Sequence, residues 1–390
     1  MLSNIKYKIM SDIILQSQER NSHRFLDSEQ RVDHLSPVSH ASVASPVSLE
    51  KGYCTSIGSE SFGSQVEYEL PFGYLKEAYL MVNLGGLTSG SYCKYPGLSL
   101  IDQVELRSGS NVLQSFRYEP TMHYCLSRMN DEYVNEVLSV VGGTSFQNGW
   151  CLCPLPLFFT KLGNSQDAPP LNTHLSSSKL RLRLTFRQAA DVVSADSTAG
   201  SPTISTRLYF LNCNPTSQLR SQHIMNASSY LFKGVDFQTL SSSTVANNTS
   251  SRIDASSFFG SLADLYINHK LVSDRDTQNI YFMDQGKMDQ VKVRIDGRDY
   301  WLSEQAESLR FDKLLLSEFP GRTNTLGDGI TVPFSTSNDP QHWSGSLEMD
   351  SCNKLEVICK HSSADECYVD VTARTHAFWA LSGGSFVRMN

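Results

Sequence analysis

A short strand written twice does most to constrain this chain. Asp102-Gln103-Val104-Glu105-Leu106-Arg107 is followed by Gly109, and Asp289-Gln290-Val291-Lys292-Val293-Arg294 by Gly297. In both copies apolar and polar residues alternate, the period of a strand with one buried face. The copies lie 187 residues apart. Residues 78–83 (AYLMVN) echo 263–268 (ADLYIN) at an offset of 185, and 178–180 (SKL) echo 353–355 (NKL) at 175. Three echoes in one order, each on a strand-like segment, predict two tandem copies of one fold.

Length and composition agree. A chain of 390 residues accommodates two units, each large enough for its own core. Aromatic residues are plentiful (19 Phe, 16 Tyr, 4 Trp) and only 19% of residues are charged, a globular composition. The net charge is −7 and no basic block stands out, which argues against a protein that neutralises many phosphates or reads nucleic-acid sequence. Nine cysteines form no framework of pairs. Cys151 and Cys153, on one face of a strand, are poorly placed to bond each other. No CxxC pair seeds a zinc site. They read as buried thiols made in a reducing compartment. No run approaches the length of a transmembrane helix. The segment after Lys6 and Lys8 is too short for a secretory signal, and Met10 is a second plausible start beside Met1.

Taken in order, residues 1–60 read as an N-terminal arm, with linker chemistry over 36–48. Residues 61–214 hold strands at 66–70, 74–84, 101–107, 112–118, 150–159, 179–187 and 204–213. A helical stretch at 120–140 breaks near Asn130 and Asp131. After a boundary around 212–220, residues 215–390 repeat the pattern. Strands fall at 230–240, 262–271, 279–284, 290–296, near Tyr300, and at 330–334, 355–360 and 368–379. A helix at 303–316 has Ser303 as its N-cap. Short, regularly spaced strands with one helical insertion per half predict an all-β chain of two consecutive eight-stranded jelly rolls.

Four stretches carry a family resemblance: QVEYELPFGYLKEAYLMVNL (65–84), LSLIDQVELRSGSNVLQSFRYEPTMHYCL (98–126), CPLPLFFTKLGNSQDAPPLNTHLSSSKLRLRLTF (153–186), and the closing run 330–387 with DPQHWSGS at 339–346. In order and spacing they resemble the double jelly-roll major capsid proteins of icosahedral double-stranded DNA viruses. That lineage spans tailless membrane-containing phages, adenoviruses, virophages, polinton-like viruses and large nucleocytoplasmic viruses. The resemblance implies homotrimers with six similar sides, pseudo-hexagonal capsomers that tile an icosahedral shell. It implies a chain made in the host cytoplasm and located in the virion. Its partners would be itself, neighbouring capsomers and minor capsid or penton proteins. An internal membrane is a further candidate partner, through the N-terminal arm. The loop 241–251 is a candidate outer loop. Large tower insertions are missing, so receptor binding is not carried over.

No enzyme motif competes. There is no Gly-x-Ser-x-Gly elbow, no His-Glu-x-x-His and no phosphate-binding loop. No catalytic, cofactor-binding or metal-ligating residue is assigned. His123 reads as packed or solvated, and Asp131, Glu132, Asp365 and Glu366 as solvated caps. A carbohydrate-binding or adhesin sandwich is one rival, using Trp343 with Asp339 and His342, and with sequons at Asn226 and Asn247. A minor capsid protein is another, although such proteins usually carry one roll.

Overall fold

The computed structural model describes residues 48–164, 170–194, 198–215, 221, 230–241, 250–271, 288–305, 308–309, 312, 329–335, 345–361 and 366–389. The strands of the first half are β1 (Ser48–Cys54), β2 (Gln65–Glu69), β3 (Tyr74–Ser89), β4 (Ile101–Ser108), β5 (Asn111–Arg117), β6 (Gly149–Pro154), β7 (Leu171–Asn172), β8 (Leu180–Phe186) and β9 (Thr198–Asn214). Those of the second are β10 (Leu231–Ser241), β11 (Ser251–Asp254), β12 (Ser261–Leu271), β13 (Met288–Ile295), β14 (Arg298–Ser303), β15 (Ile330–Pro333), β16 (Leu347–Glu348), β17 (Leu355–His361), β18 (Cys367–Ser382) and β19 (Ser385–Met389).

They form four sheets. The first half contributes β1-β9-β3-β6 and β2-β8-β4-β5, and the second contributes β10-β18-β12-β15 and β11-β17-β13-β14. The two-residue β7 and β16 and the C-terminal β19 add to the two larger sheets. Both halves thus show one strand order, that of a jelly roll: all-β, twice over. Among the described residues no strand of one half pairs with a strand of the other.

The sequence echoes land on equivalent strands. The 185-residue echo joins β3 to β12, the 187-residue echo joins β4 to β13, and the 175-residue echo joins β8 to β17. Alternation places Val104, Leu106, Leu182 and Leu184 in the first core and Val291, Val293, Leu355 and Val357 in the second, all fully buried. Each β4-like strand then turns through two residues. Gly109 adopts φ 59°, and Asp296 and Gly297 adopt φ 50° and 81°. In the second turn, positive φ at both Asp296 and Gly297 defines the I′ hairpin turn that Asp-Gly favours.

Several expectations are corrected. Residues 48–54 belong to the first roll and not to the arm: β1 is its edge strand, with Tyr53 opposite Tyr209. No large apolar side chain marks its inward side, where Gly52 and Cys54 are the half-buried positions. The Phe210 ring occupies the space over Gly52, where a Cβ would lie 2.4 Å from it. The strand at 150–159 ends at Pro154. The helical stretch at 120–140 does break at Asn130 and Asp131 as expected, into Tyr118–Ser127 and Asp131–Val140, the second capped by the Asn130 side chain, which accepts from the Tyr133 N–H at 2.9 Å. Ser303 is not an N-cap. It closes β14, buried, and Leu309 N–H reaches back only to the Gln305 carbonyl at 2.9 Å. The arm up to residue 47, the strand at 279–284, and most of 303–316, 241–251 and 339–346 lie outside the described residues.

The two rolls pack against each other at several points. The Phe158 ring stacks on Trp379 at 3.8 Å, and Trp379 Nε1 donates to the Leu113 carbonyl at 3.0 Å. The C-terminal hairpin clasps the first roll: Phe386 N–H donates to Ser108 Oγ at 3.0 Å, and Ser177 N–H to the Gly384 carbonyl at 2.7 Å. A continuous apolar cluster therefore runs from the first roll into Phe232, Phe237 and Trp379 of the second.

Candidate functional site

With the inner sheet faces committed to cores, the outward faces remain for function, and the four differ sharply. On β2-β8-β4-β5, Arg183 pairs with Glu67 at 2.5 Å and with Glu105 at 3.6 Å, and Arg181 with Glu69 at 3.1 Å. On β11-β17-β13-β14, Arg294 pairs with Asp299 at 2.5 Å and Lys354 with Glu356 at 2.8 Å. Exposed ion pairs add roughly 0–1 kcal/mol each. They do keep a sheet face wet and resistant to association.

The outward face of β10-β18-β12-β15 is polar but dry. Asp264, Tyr266 and Asn268 on β12 are 0%, 3% and 2% exposed. The covering element is the Tyr118–Ser127 helix of the first roll, entered from β5. Tyr124 meets Phe237 and Tyr266 edge-on, each at 5.7 Å between ring centres, and Arg117 donates to Ser241 Oγ at 2.7 Å. Charges there are paired. Asp264 accepts from Arg374 Nε at 2.8 Å and lies 3.4 Å from Arg128. Glu119 from the helix binds Lys270 of β12 and, at 2.6 Å, Arg187; Lys270 also reaches Asp370 at 3.1 Å. Burial alone would raise the Glu119 carboxyl, but Lys270 and Arg187 outweigh it and hold it at about 2. His123, on the same helix, is buried, so it is packed rather than solvated.

Among the described residues, nothing covers the equivalent face of the first roll, β1-β9-β3-β6. Tyr53, Tyr209 and Tyr79 stand directly across three neighbouring strands. Tyr79 stacks on Tyr209 at 5.5 Å, and Tyr53 tilts against Tyr209 at 5.7 Å. Lys51 Nζ lies 4.8 Å from the centre of the Tyr209 ring, and the Arg207 guanidinium 5.4 Å from that of Trp150. Tyr53 and Trp150 are 57% and 45% exposed. By the 185-residue offset, Tyr79, Met81 and Asn83 occupy the positions of the buried Asp264, Tyr266 and Asn268. Aromatic residues and arginine with few acids are the composition of an interface centre.

Sequence reading missed this surface because β1 went unrecognised and the tyrosines come from three strands far apart in the chain. The alternation of β3 and β9 was the available signal, since it sets Tyr79 and Tyr209 facing outward. None of the nine cysteines is in a disulfide, and Cys151 and Cys153 share the inward face of β6. Asp131 and Glu132 lie in the first turn of a helix and Glu366 is exposed, as expected of solvated groups. Asp365, Asp339, His342, Trp343, Asn226 and Asn247 lie outside the described residues.

No protein-family model matches the sequence, and no curated protein does. Solved structures do match in fold. PBCV-1 VP54, fitted into a reconstruction of the virophage Sputnik, aligns with TM-score 0.72 at 14% identity, over 89% of this chain and 97% of its own. The Faustovirus major capsid protein aligns with TM-score 0.69 at 10% identity, over 87% and 91%. The mavirus major capsid protein aligns with TM-score 0.52 at 8% identity, over 87% and 90%. The chain carries the double jelly-roll fold found in these viral major capsid proteins.

Proposed function

We propose that this protein is a major capsid protein, a structural and non-enzymatic component of a virion. Its unit of assembly is a homotrimer in which the second roll of each chain covers the tyrosine face of the next. One observation carries the reading. Two sheets of identical strand order present equivalent outward faces, and among the described residues the chain covers only one of them. A heterologous contact of this kind generates a ring when its rotation closes. Closure at three places six similar rolls around one axis, a near-hexagonal block that tiles a shell with copies of itself and with minor capsid or penton proteins. An obligate interface of this type buries more than ~2,000 Å². The boundary between rolls, near residue 215, then lies inside each tile. Residues 1–47 serve contacts within the shell or with an internal membrane.

Light scattering tests the assembly unit: a trimer is expected, and a monomer at micromolar concentration would overturn the reading. Removal of residues 1–47 is expected to preserve trimers while impairing shells seen by electron microscopy.

A further inference from the structure

We propose that the second roll holds a zinc site made by His269, His361 and Cys367. The three donor atoms lie within 4.8 Å of one another, and the side chains are 1%, 2% and 0% exposed. Among the described residues this is the only such group of three. Cys367 Sγ is 3.6 Å from His361 Nδ1, and the two imidazole rings have centres 5.7 Å apart. Zinc bonds of about 2.0–2.1 Å to nitrogen and about 2.3 Å to sulfur, arranged tetrahedrally, set donor separations near ~3.5 Å. The sulfur–nitrogen pair is at that spacing, and the third donor needs to close by at most about 1.3 Å from the 4.8 Å limit.

The internal repeat shows that the fold does not require these residues. At the 185-residue offset, His269 corresponds to Leu84. At the 175-residue offset, His361 corresponds to Phe186. The pairings agree, because His361 stands opposite Met288 as Phe186 stands opposite Ile101, and 101 and 288 are related by the 187-residue offset. Tyr368 opposite Lys270 corresponds to Thr203 opposite Gly85, which puts Pro202 at the position of Cys367. The first roll thus uses Leu, Phe and Pro, none of them a ligand, where the second has His, His and Cys. The substitutions converge on one point of one core.

The geometry also defines a role. His269 and Cys367 lie on β12 and β18 of one sheet and His361 on β17 of the facing sheet, so a shared ion ties the two layers together. Binding replaces the thiol proton of Cys367, which passes to solvent, and leaves two neutral imidazoles and one thiolate on zinc. Water takes the fourth position. An imidazole–thiolate donor set suits zinc and disfavours magnesium or calcium.

The test uses the full chain, stripped with chelator under reducing conditions and titrated with Zn(II) or Co(II). One equivalent is expected to bind, with a thiolate-to-cobalt charge-transfer band and a rise in melting temperature. Cys367→Ser is expected to abolish the band and weaken zinc binding at least ~100-fold. The double variant His269→Leu with His361→Phe copies the first roll and is expected to fold but bind no zinc. Failure of the unmodified chain to bind zinc would overturn the proposal. So would binding that Cys367→Ser leaves unchanged, since the metal would then sit on other cysteines. The cobalt spectrum of the unmodified chain reads the site even if a variant does not fold.

Discussion

The outward faces of β10-β18-β12-β15 and β1-β9-β3-β6 come from the same strands in the same order, and they carry opposite chemistry. The covered face holds Asp264, Lys270 and Asn268, groups that are costly to bury without partners. It can hold them because the same chain supplies Arg374, Arg128, Glu119 and Asp370 at fixed positions. The uncovered face holds tyrosine, tryptophan, lysine and arginine. These side chains have apolar bodies and polar tips, so they tolerate water and are equally able to pack against a partner, as the proposed trimer requires. A permanent intramolecular contact can rest on matched ions. A contact that must form between separately folded chains favours groups that are stable both wet and dry.

The comparison can be broken in graded ways. The largest loss of stability is expected inside the cores. Val291→Asp and Val104→Asp each bury a charge on an equivalent inward strand and should cost several kcal/mol, measured by calorimetry. Normal melting in either would mean the strand registers differ. Next comes the covered face. Lys270→Met leaves Asp370 without this cation and Glu119 with Arg187 alone, and breaking a buried pair costs about 3–5 kcal/mol. On the uncovered face, Tyr79→Asp with Tyr209→Asp should lower the melting temperature little and abolish trimers in light scattering. Trimers that persist would remove the tyrosine face from assembly. Smallest of all, Arg181→Ala on the charged face should change stability by less than ~1 kcal/mol and leave assembly unaffected.

Acidity separates two carboxylates near the contact between rolls. Glu119 is held at about 2 when folded, against roughly 4.3 unfolded. Its stabilisation is complete above the unfolded value and disappears as pH falls through the folded one. Asp236, 3.0 Å from Arg388, is pushed up by burial to about 6, so its charge opposes folding at neutral pH. That penalty is relieved as pH falls from about 6 towards its unfolded value near ~3.9. Melting temperature should rise slightly from pH 7 to about 5 and drop below about 4. Asp236→Asn should flatten the upper limb, and Glu119→Gln the lower.

Much of the architecture was legible before any coordinates. Alternation at Val104, Leu106, Val291 and Val293 identifies strands and their inward sides, because side-chain direction along a strand is a local property with period two. The tandem echoes identify two equivalent units, since equal folds impose equal patterns. Strand β1 was not legible: its inward side is Gly52 and Cys54, and Phe210, 158 residues beyond Gly52 in the chain, fills the space. Nor could composition distinguish a covered sheet face from a bare one. Asp264 and Arg374 meet across 110 residues, and Glu119 and Lys270 across 151. Read along the chain, each is an ordinary polar residue. Whether such a charge is wet, paired or buried depends on which distant segment packs above it, and only the three-dimensional arrangement decides that.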